Sequence, residues 1–364
     1  MPDLIWKHLA VHNAAELIPA PEAGPDVVSP TRLPLDVLPH LNEGAQARAR
    51  ATAGVELRWV ADGPVTLILS SPQAPNHPVC LFRGRFQHNG GVHHTNLDEP
   101  GLTHPARALI GATPTALRID DTPPRIVEHY DACRARSDFD PAVCRLLLPL
   151  HAGPILLHDV QPDPGVTVTP PTPDQLPPRR VLFYGTSITQ GAGASSPHLT
   201  YPALTATRLQ ADACNLGSSG SCECEPQLID YLAGRHDWDA ASLALSVNML
   251  KYSDEVFRER VHYAVHTVAA AHPGKPVAAI TLWPYFNDLP GGENYEKAQR
   301  FRQHLREAVA SCPTPNAHLL EGPDLFPGID AQSVDLIHPG DFAFAEMSRN
   351  LADALRPLLP PIAS

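Results

Sequence analysis

The first 160 residues carry short runs in which apolar and polar positions alternate. The clearest runs are 55–60, 65–69, 116–119 and 144–148, and Pro, Gly, Asn and Asp residues separate them. Alternation with a period of two is typical of strands that bury one face, and no long amphipathic helix interrupts the series. The pattern predicts an all-β, jelly-roll-like sandwich domain over residues 1–165.

A proline-rich segment follows this region. Residues 161–180 contain seven prolines, which fix the backbone and remove hydrogen-bond donors. The composition predicts a stiff linker over residues 166–180, with room for one last strand at 166–169.

The pattern changes after residue 180, where short apolar runs alternate with helical periodicity. Predicted strands are 181–184, 213–216, 243–247, 277–282 and 318–320, and predicted helices include 253–271, 293–310 and 340–356. Alternating strands and helices favour a parallel sheet covered on both faces. We therefore expect a flavodoxin-like, three-layer α/β domain over residues 181–364, with its ligand site at the carboxyl edge of the sheet.

Size and composition narrow the classes of function. A chain of 364 residues favours two domains. The net charge of −12 argues against nucleic acid or an anionic membrane as the main partner, and it favours a neutral or cationic small substrate. Seven scattered cysteines and the lack of a leader or membrane-spanning pattern predict a cytoplasmic protein with reduced thiols. Homo-oligomerisation stays open.

Four short motifs fall at the predicted carboxyl edge. They are FYGTSITQG with Ser187, NLGSSG with Gly220, ALSVNM with Asn248, and DLIHPGD with Asp335 and His338. A serine hydroxyl needs a base to take its proton, and an imidazole base needs a carboxylate to orient it. The set predicts Ser187 as nucleophile, His338 as base and Asp335 as its partner. The alternative for Ser187 alone is a helix N-cap.

Acyl transfer also requires donors for the oxyanion of the tetrahedral intermediate. The candidates are the backbone N–H groups of Ser187 and Gly220 and the side-chain amide of Asn248. The chemistry calls for no cofactor, and the segment GAGASS lacks the third glycine of a dinucleotide-binding loop.

These motifs, in this order, resemble the four sequence blocks of the SGNH, or GDSL-like, hydrolases. The resemblance covers residues 181–356, although GTS replaces the usual GDS and Met249 follows Asn248 where the family often has Asp. It implies ester hydrolysis through an acyl-enzyme, with the five residues in the roles given above. The β-rich region and the run NLGSSGSCECEP also resemble two-domain carbohydrate O-acetyl esterases, which implies short acyl esters on a saccharide as substrate.

Two other classes of function stay open at this stage. One is a lipid or thioester acylhydrolase, although no exposed apolar helix suggests a long acyl groove. The other is a glycan-binding protein with an inactive α/β domain, which the complete set of Ser187, Asp335 and His338 disfavours.

Aromatic and imidazole side chains provide further candidates. Trp283 and Tyr285 follow the fourth strand and could form a wall for a sugar or acyl group, and His88 is a third candidate for substrate contact. Neighbouring strand residues point to opposite faces, so the pair at positions 93 and 94 does not suit one metal ion. The sequence therefore predicts no metal site.

Overall fold

A computed structural model describes residues 3–73, 77–88, 92–94, 107–120, 122–151, 153–245 and 247–362. Its first part consists of short antiparallel strands. These are β1 (Leu4–Trp6), β2 (Leu9–His12), β3 (Glu16–Pro19), β4 (Val28–Thr31), β5 (Glu56–Ala61), β6 (Val65–Ser70), β7 (His77–Arg83), β8 (Phe86–Gln87), β9 (Val92–His94), β10 (Arg107–Ile110), β11 (Thr115–Ile119), β12 (Cys144–Leu147), β13 (Leu156–Pro162) and β14 (Val168–Thr169).

These strands form two antiparallel sheets. One has the order β1-β2-β5-β12-β7-β10, with β14 paired to β5 and β8 paired to β7, and the other has the order β3-β4-β13-β6-β11-β9. Leu57 and Leu146 of the first sheet share one buried core with Leu67 and Leu117 of the second. The alternating runs of the sequence lie in β5, β6, β11 and β12, so the β-rich first part is as predicted. The jelly-roll assignment stays a prediction.

The second part contains a five-stranded parallel sheet. Its strands are β15 (Arg180–Gly185), β16 (Asp212–Gly217), β17 (Ala240–Ala244), β18 (Val277–Ile280) and β19 (Ala317–Leu320), in the order β16-β15-β17-β18-β19. This is the flavodoxin-like order, with the carboxyl ends of all five strands at one edge.

Helices cover both faces of the parallel sheet. The helices of the chain are α1 (Glu43–Ala49), α2 (Pro124–Glu128), α3 (Tyr130–Arg134), α4 (Ser187–Gln190), α5 (Tyr201–Arg208), α6 (Pro226–Gly234), α7 (Asp254–Ala271), α8 (Tyr295–Ala310), α9 (Gly322–Leu325) and α10 (Asp341–Leu355). Phe257 of α7 and Phe301 of α8 belong to the core on one face, and Tyr201 of α5 and Phe344 of α10 belong to the core on the other. The α/β part therefore has the three layers that the sequence predicted.

The third parallel strand begins and ends three residues earlier than predicted, at Ala240–Ala244 rather than 243–247. Its register explains the difference, because Ala244 pairs with Gly185, the last residue of β15. The described residues that follow Ala244 have no strand partner on that side, and Val247–Met249 form a 3₁₀ turn instead.

The two parts share buried contacts. Leu33, Leu38 and Ala45 belong to the same core as Leu228 of α6. In addition, both terminal nitrogens of the Arg58 guanidinium on β5 donate to the Asp212 carboxylate at the start of β16, at 2.6 and 2.7 Å. In the described chain, no helix has the length and apolarity needed to cross a membrane.

Candidate active site

A glycine ends the first strand of the parallel sheet, β15, for a steric reason. A Cβ on Gly185 would lie 2.8 Å from the carbonyl oxygen of Ala244 and 2.2 Å from the hydroxyl oxygen of Thr189. Only glycine allows α4 to start so close to the neighbouring strand. The chain therefore turns directly from β15 into α4, whose first residue is Ser187.

The structure brings Ser187, His338 and Asp335 into one hydrogen-bonded chain. Nε2 of His338 lies 2.8 Å from Oγ of Ser187, and Nδ1 of His338 lies 2.6 Å from Oδ2 of Asp335. The carboxylate accepts only, so Nδ1–H donates to Asp335 and Nε2 can accept the Ser187 proton. The imidazole is thus held in the tautomer that a general base requires.

The Asp335 carboxylate is fixed by its own turn. Its Oδ1 accepts from the Ser333 hydroxyl at 2.8 Å and from the backbone N–H groups of Ile337 and His338 at 2.9 and 3.0 Å. Burial by itself would raise the pKa of Asp335, but the hydrogen bonds from His338, Ile337 and Ser333 outweigh it and hold that pKa well below its ordinary value. The group is therefore a carboxylate at neutral pH.

Backbone strain accompanies this turn. Leu336, which follows Asp335, has a φ of 53°, a left-handed conformation that costs a residue with a side chain about 1 kcal/mol or more. The turn closes through hydrogen bonds from Leu336 N–H to the Ser333 carbonyl and from Ser333 N–H to the His338 carbonyl, at 3.0 and 2.7 Å. The strained residue allows the carboxylate to bend back toward its imidazole.

Gly220 and Asn248 lie in the loops that follow the two strands flanking β15. Gly220 has a φ of 71°, which favours glycine, and no atom lies within 4 Å of where a Cβ would be. Oδ1 of Asn248 accepts from the backbone N–H of Cys222 at 3.1 Å. Because Oδ1 is occupied, the Nδ2 amide of Asn248 is the half of the side chain left to donate elsewhere.

Sequence reasoning missed the residues that hold these loops in place. Oε1 of Gln190 accepts from Ser219 N–H at 2.8 Å. The buried Glu223 accepts from Lys251 and from the Tyr252 hydroxyl, at 2.6 and 2.5 Å. Glu223 thus ties the Gly220 loop to the segment after Asn248. No sequence periodicity marks it, because its partners come from another loop.

Trp283 and Tyr285 are buried, with 4% and 3% of their surface exposed. They line a small cavity together with Thr186, Ile188, Ala244, Leu245, Val247, Leu282 and Ile337. Thr186 and Ile188 flank Ser187, and Ile337 precedes His338. The cavity has a volume of about 10 Å³, roughly the minimum that one water molecule needs. The two aromatic side chains therefore border a small space, and a substrate contact for them stays a prediction.

The candidate histidines of the first part of the chain are not among the residues of the triad or of the small cavity. His88 is buried just after β8, and burial, helped by the charge of Arg83, lowers the pKa of its imidazole. The side chains at positions 93, 94 and 104 lie outside the described residues. Within the described part, no group of three His, Cys, Asp or Glu side chains is arranged to hold a metal ion, and none of the seven cysteines forms a disulfide. A substrate contact for His88 stays a prediction.

The fold and the four motifs define the class of the protein. The sequence profile of the GDSL-like lipase/acylhydrolase family matches residues 178–359, half of the chain. The protein belongs to this family, and the resemblance noted in the sequence is confirmed. No curated protein matches the sequence.

Solved structures share the fold of the whole chain. A salicylyl-acyltransferase, SsfX3, from a tetracycline biosynthetic pathway is similar over 98% of both chains, with a TM-score of 0.72 and 18% identity. A GDSL-like lipase of Bacteroides ovatus, described as putative, covers 90% of this chain and 91% of its own, with a TM-score of 0.64 and 18% identity. A family two carbohydrate esterase of Cellvibrio japonicus covers 96% and 95%, with a TM-score of 0.53 and 14% identity. At these identities the likeness is one of fold.

Proposed function

We propose that this protein is a serine esterase that hydrolyses short acyl esters, above all acetyl esters, on carbohydrates. The observation that carries the proposal is the hydrogen-bonded chain from Asp335 through His338 to Ser187. The 2.8 Å between Nε2 of His338 and Oγ of Ser187 is within the range for proton transfer from nucleophile to general base, and the 2.6 Å contact to Asp335 orients that base.

The reaction begins when Oγ of Ser187 attacks the ester carbonyl carbon and its proton passes to Nε2 of His338. The tetrahedral intermediate collapses, and the C–O bond to the alcohol breaks as His338 gives that proton to the leaving oxygen. Water then attacks the acyl-enzyme, His338 takes one proton from the water, and Ser187 regains a proton as the acid is released. The Asp335 carboxylate balances the positive imidazolium in both steps.

The oxyanion requires donors that are fixed before the reaction. We assign this role to the backbone N–H groups of Ser187 and Gly220 and to Nδ2 of Asn248. The hydrogen bond from Cys222 N–H to Oδ1 of Asn248 supports the assignment, because it orients the amide without using its donors.

Replacement of Asn248 by alanine tests this role. We expect Asn248→Ala to lower kcat by about 10²- to 10³-fold, because a donor that acts on the oxyanion strengthens in the transition state. KM should change little. Steady-state kinetics on p-nitrophenyl acetate measures both constants, and Asn350→Ala on α10 is the matched control. A loss of kcat below about tenfold would remove Asn248 from the oxyanion hole.

The small cavity lined by Trp283 and by Thr186 and Ile188, the neighbours of Ser187 in sequence, supports the preference for acetyl. A volume of about 10 Å³ is about the minimum for one water molecule, so an acyl chain longer than acetyl would require its walls to move further. We expect kcat/KM to fall by about tenfold or more from p-nitrophenyl acetate to p-nitrophenyl butyrate. The butyryl group is two methylenes longer, and one methylene that does not fit a pocket lowers kcat/KM by about 10- to 200-fold. Acetate release from acetylated oligosaccharides tests the carbohydrate part. A maximum at octanoate would favour a lipid or thioester acylhydrolase instead.

A cavity-enlarging variant tests whether this space is the acyl pocket. Val247 lines the cavity and is only partly buried, so Val247→Ala adds room at a modest cost in stability. The ratio of butyrate to acetate turnover should rise in this variant. Val65→Ala, which shortens a buried valine of β6 in the sandwich, should leave the ratio unchanged. An unchanged ratio in Val247→Ala would place the acyl group elsewhere.

A further inference from the structure

A second and much larger cavity lies in the first part of the chain. Its volume is about 620 Å³, within the range of small-molecule sites. The sandwich part of the chain lines it, with the end of α1, Gln73 after β6, and His151 after β12. The motifs of the α/β domain contribute no lining residue among those described.

Hydrogen bonds join this cavity to the loops around Ser187. Gln190 lies three residues after Ser187 on α4, and its Nε2 lies 3.1 Å from Nδ1 of His151. Oε1 of the same Gln190 accepts from Ser219 N–H, and the Ser219 carbonyl accepts from Nε of Arg48 at 3.3 Å. Ser219 directly precedes Gly220. The cavity therefore borders the loop to which we assign an oxyanion donor.

The cavity is positively charged. Arg48 and Arg50 both line it, and both side chains are exposed. Neither guanidinium forms an ion pair with a described residue, and none of the described lining residues is acidic. A guanidinium has five N–H donors, arranged to fit the oxygens of a carboxylate or phosphate. In a chain of net charge −12, two arginines with no described carboxylate partner, in a cavity that borders the loop of Gly220, favour an anion.

We propose that this cavity binds the alcohol portion of the ester, and that this alcohol is a sugar-sized molecule bearing an anionic group, a phosphate or a carboxylate. The proposal rests on the proposed esterase function and specifies its substrate as an acylated sugar phosphate or sugar acid. It differs from the expectation of a neutral or cationic substrate, which came from net charge and stays a prediction. A bound ligand responds to the local field of its cavity rather than to the total charge of the chain.

Kinetics on three acetylated sugars tests the proposal. The substrates are an acetylated methyl glucoside, the corresponding acetylated glucose phosphate and the corresponding acetylated glucuronate. Their leaving groups are neutral, phosphate-bearing and carboxylate-bearing, respectively. We expect kcat/KM for at least one anionic ester to exceed that for the neutral ester by about tenfold or more, with the advantage shrinking as salt is raised. Equal values for all three esters would overturn the proposal.

Substitution of the arginines assigns the effect to the cavity. Arg50→Gln should lower the ratio of kcat/KM for the anionic ester to kcat/KM for the neutral ester by about tenfold, mainly by raising KM for the anionic ester. Arg50→Lys should retain part of the preference. Arg48→Gln is a second variant with the same expectation. Arg349→Gln, which removes an exposed arginine from α10, is the matched control and should keep the wild-type ratio.

A binding measurement separates this proposal from the esterase proposal. Calorimetry with the Ser187→Ala protein compares glucose phosphate and glucuronate with glucose, and it requires no turnover. We expect at least one anion to bind about tenfold or more tightly than glucose, and Arg50→Gln in that background to remove the difference. Equal affinities would overturn the anionic site. Failure of the wild-type protein to hydrolyse p-nitrophenyl acetate would instead count against the esterase.

Discussion

Replacement of Ser187 by alanine is expected to lower kcat for p-nitrophenyl acetate by roughly 10⁶-fold, the scale measured when a serine nucleophile is removed from such a triad. The reason is chemical, since no acyl-enzyme forms without the hydroxyl. KM should change little, because the hydroxyl contributes more to the transition state than to ground-state binding. Steady-state kinetics with concentrated enzyme measures both constants.

Labelling gives an independent readout of the same change. A fluorophosphonate probe reacts with an activated serine and should label the wild-type protein but not Ser187→Ala. Ser195→Ala, at a nearby exposed serine, should label like the wild type. Equal labelling of wild type and Ser187→Ala would show that residue 187 is not the nucleophile. Labelling that depends on Ser187 would exclude the hypothesis that the protein is a glycan-binding protein with an inactive α/β domain.

The triad should behave as one unit. His338→Ala is expected to lose about as much activity as Ser187→Ala, and the double variant little more than either, because the nucleophile is useless without its base. If the loss of activity in the double variant equalled the product of the two single losses, the two side chains would act separately. The 2.8 Å contact between them makes this outcome unexpected.

The second large effect concerns stability rather than catalysis. Asp212→Asn is expected to lower the free energy of unfolding by about 3–5 kcal/mol, because it leaves the fully buried Arg58 guanidinium without its main counter-charge. Both Asp212 oxygens accept from Arg58, and Glu56 accepts from Arg58 at 2.8 Å. Burial alone would raise the pKa of Glu56, but the charges of Arg145 and Arg58 lower it to about 2. This buried cluster joins the sandwich to the parallel sheet.

A surface pair of similar geometry is the control. The Asp163 carboxylate accepts hydrogen bonds from both terminal nitrogens of Arg118, at 2.9 and 2.7 Å, but it is exposed to solvent. Asp163→Asn should leave the thermal midpoint almost unchanged, since exposed pairs contribute little. Urea and thermal denaturation of both variants measure the difference. If Asp212→Asn were no less stable than Asp163→Asn, the buried cluster would not hold the two parts together.

The sequence by itself determined the class of fold and the chemical groups of the site. Helix periodicity, such as the buried Phe257, Val261 and Val268 of α7, depends only on neighbours in the chain, so it could be read directly. The motifs around Ser187 and His338 were equally visible, because a turn from Asp335 to His338 spans four residues. Both kinds of signal are local.

Tertiary structure decided the size and charge of the spaces around those groups. Trp283 is buried by residues from other segments, and Asn248 accepts a hydrogen bond from the N–H of Cys222 in another loop. Arg48 likewise donates to the carbonyl of Ser219, beside Gly220. The net charge and the charge of this cavity favour substrates of different sign, since net charge averages over a surface that one cavity does not sample. Contacts between distant segments depend on how whole elements pack, and no short stretch of sequence contains that information.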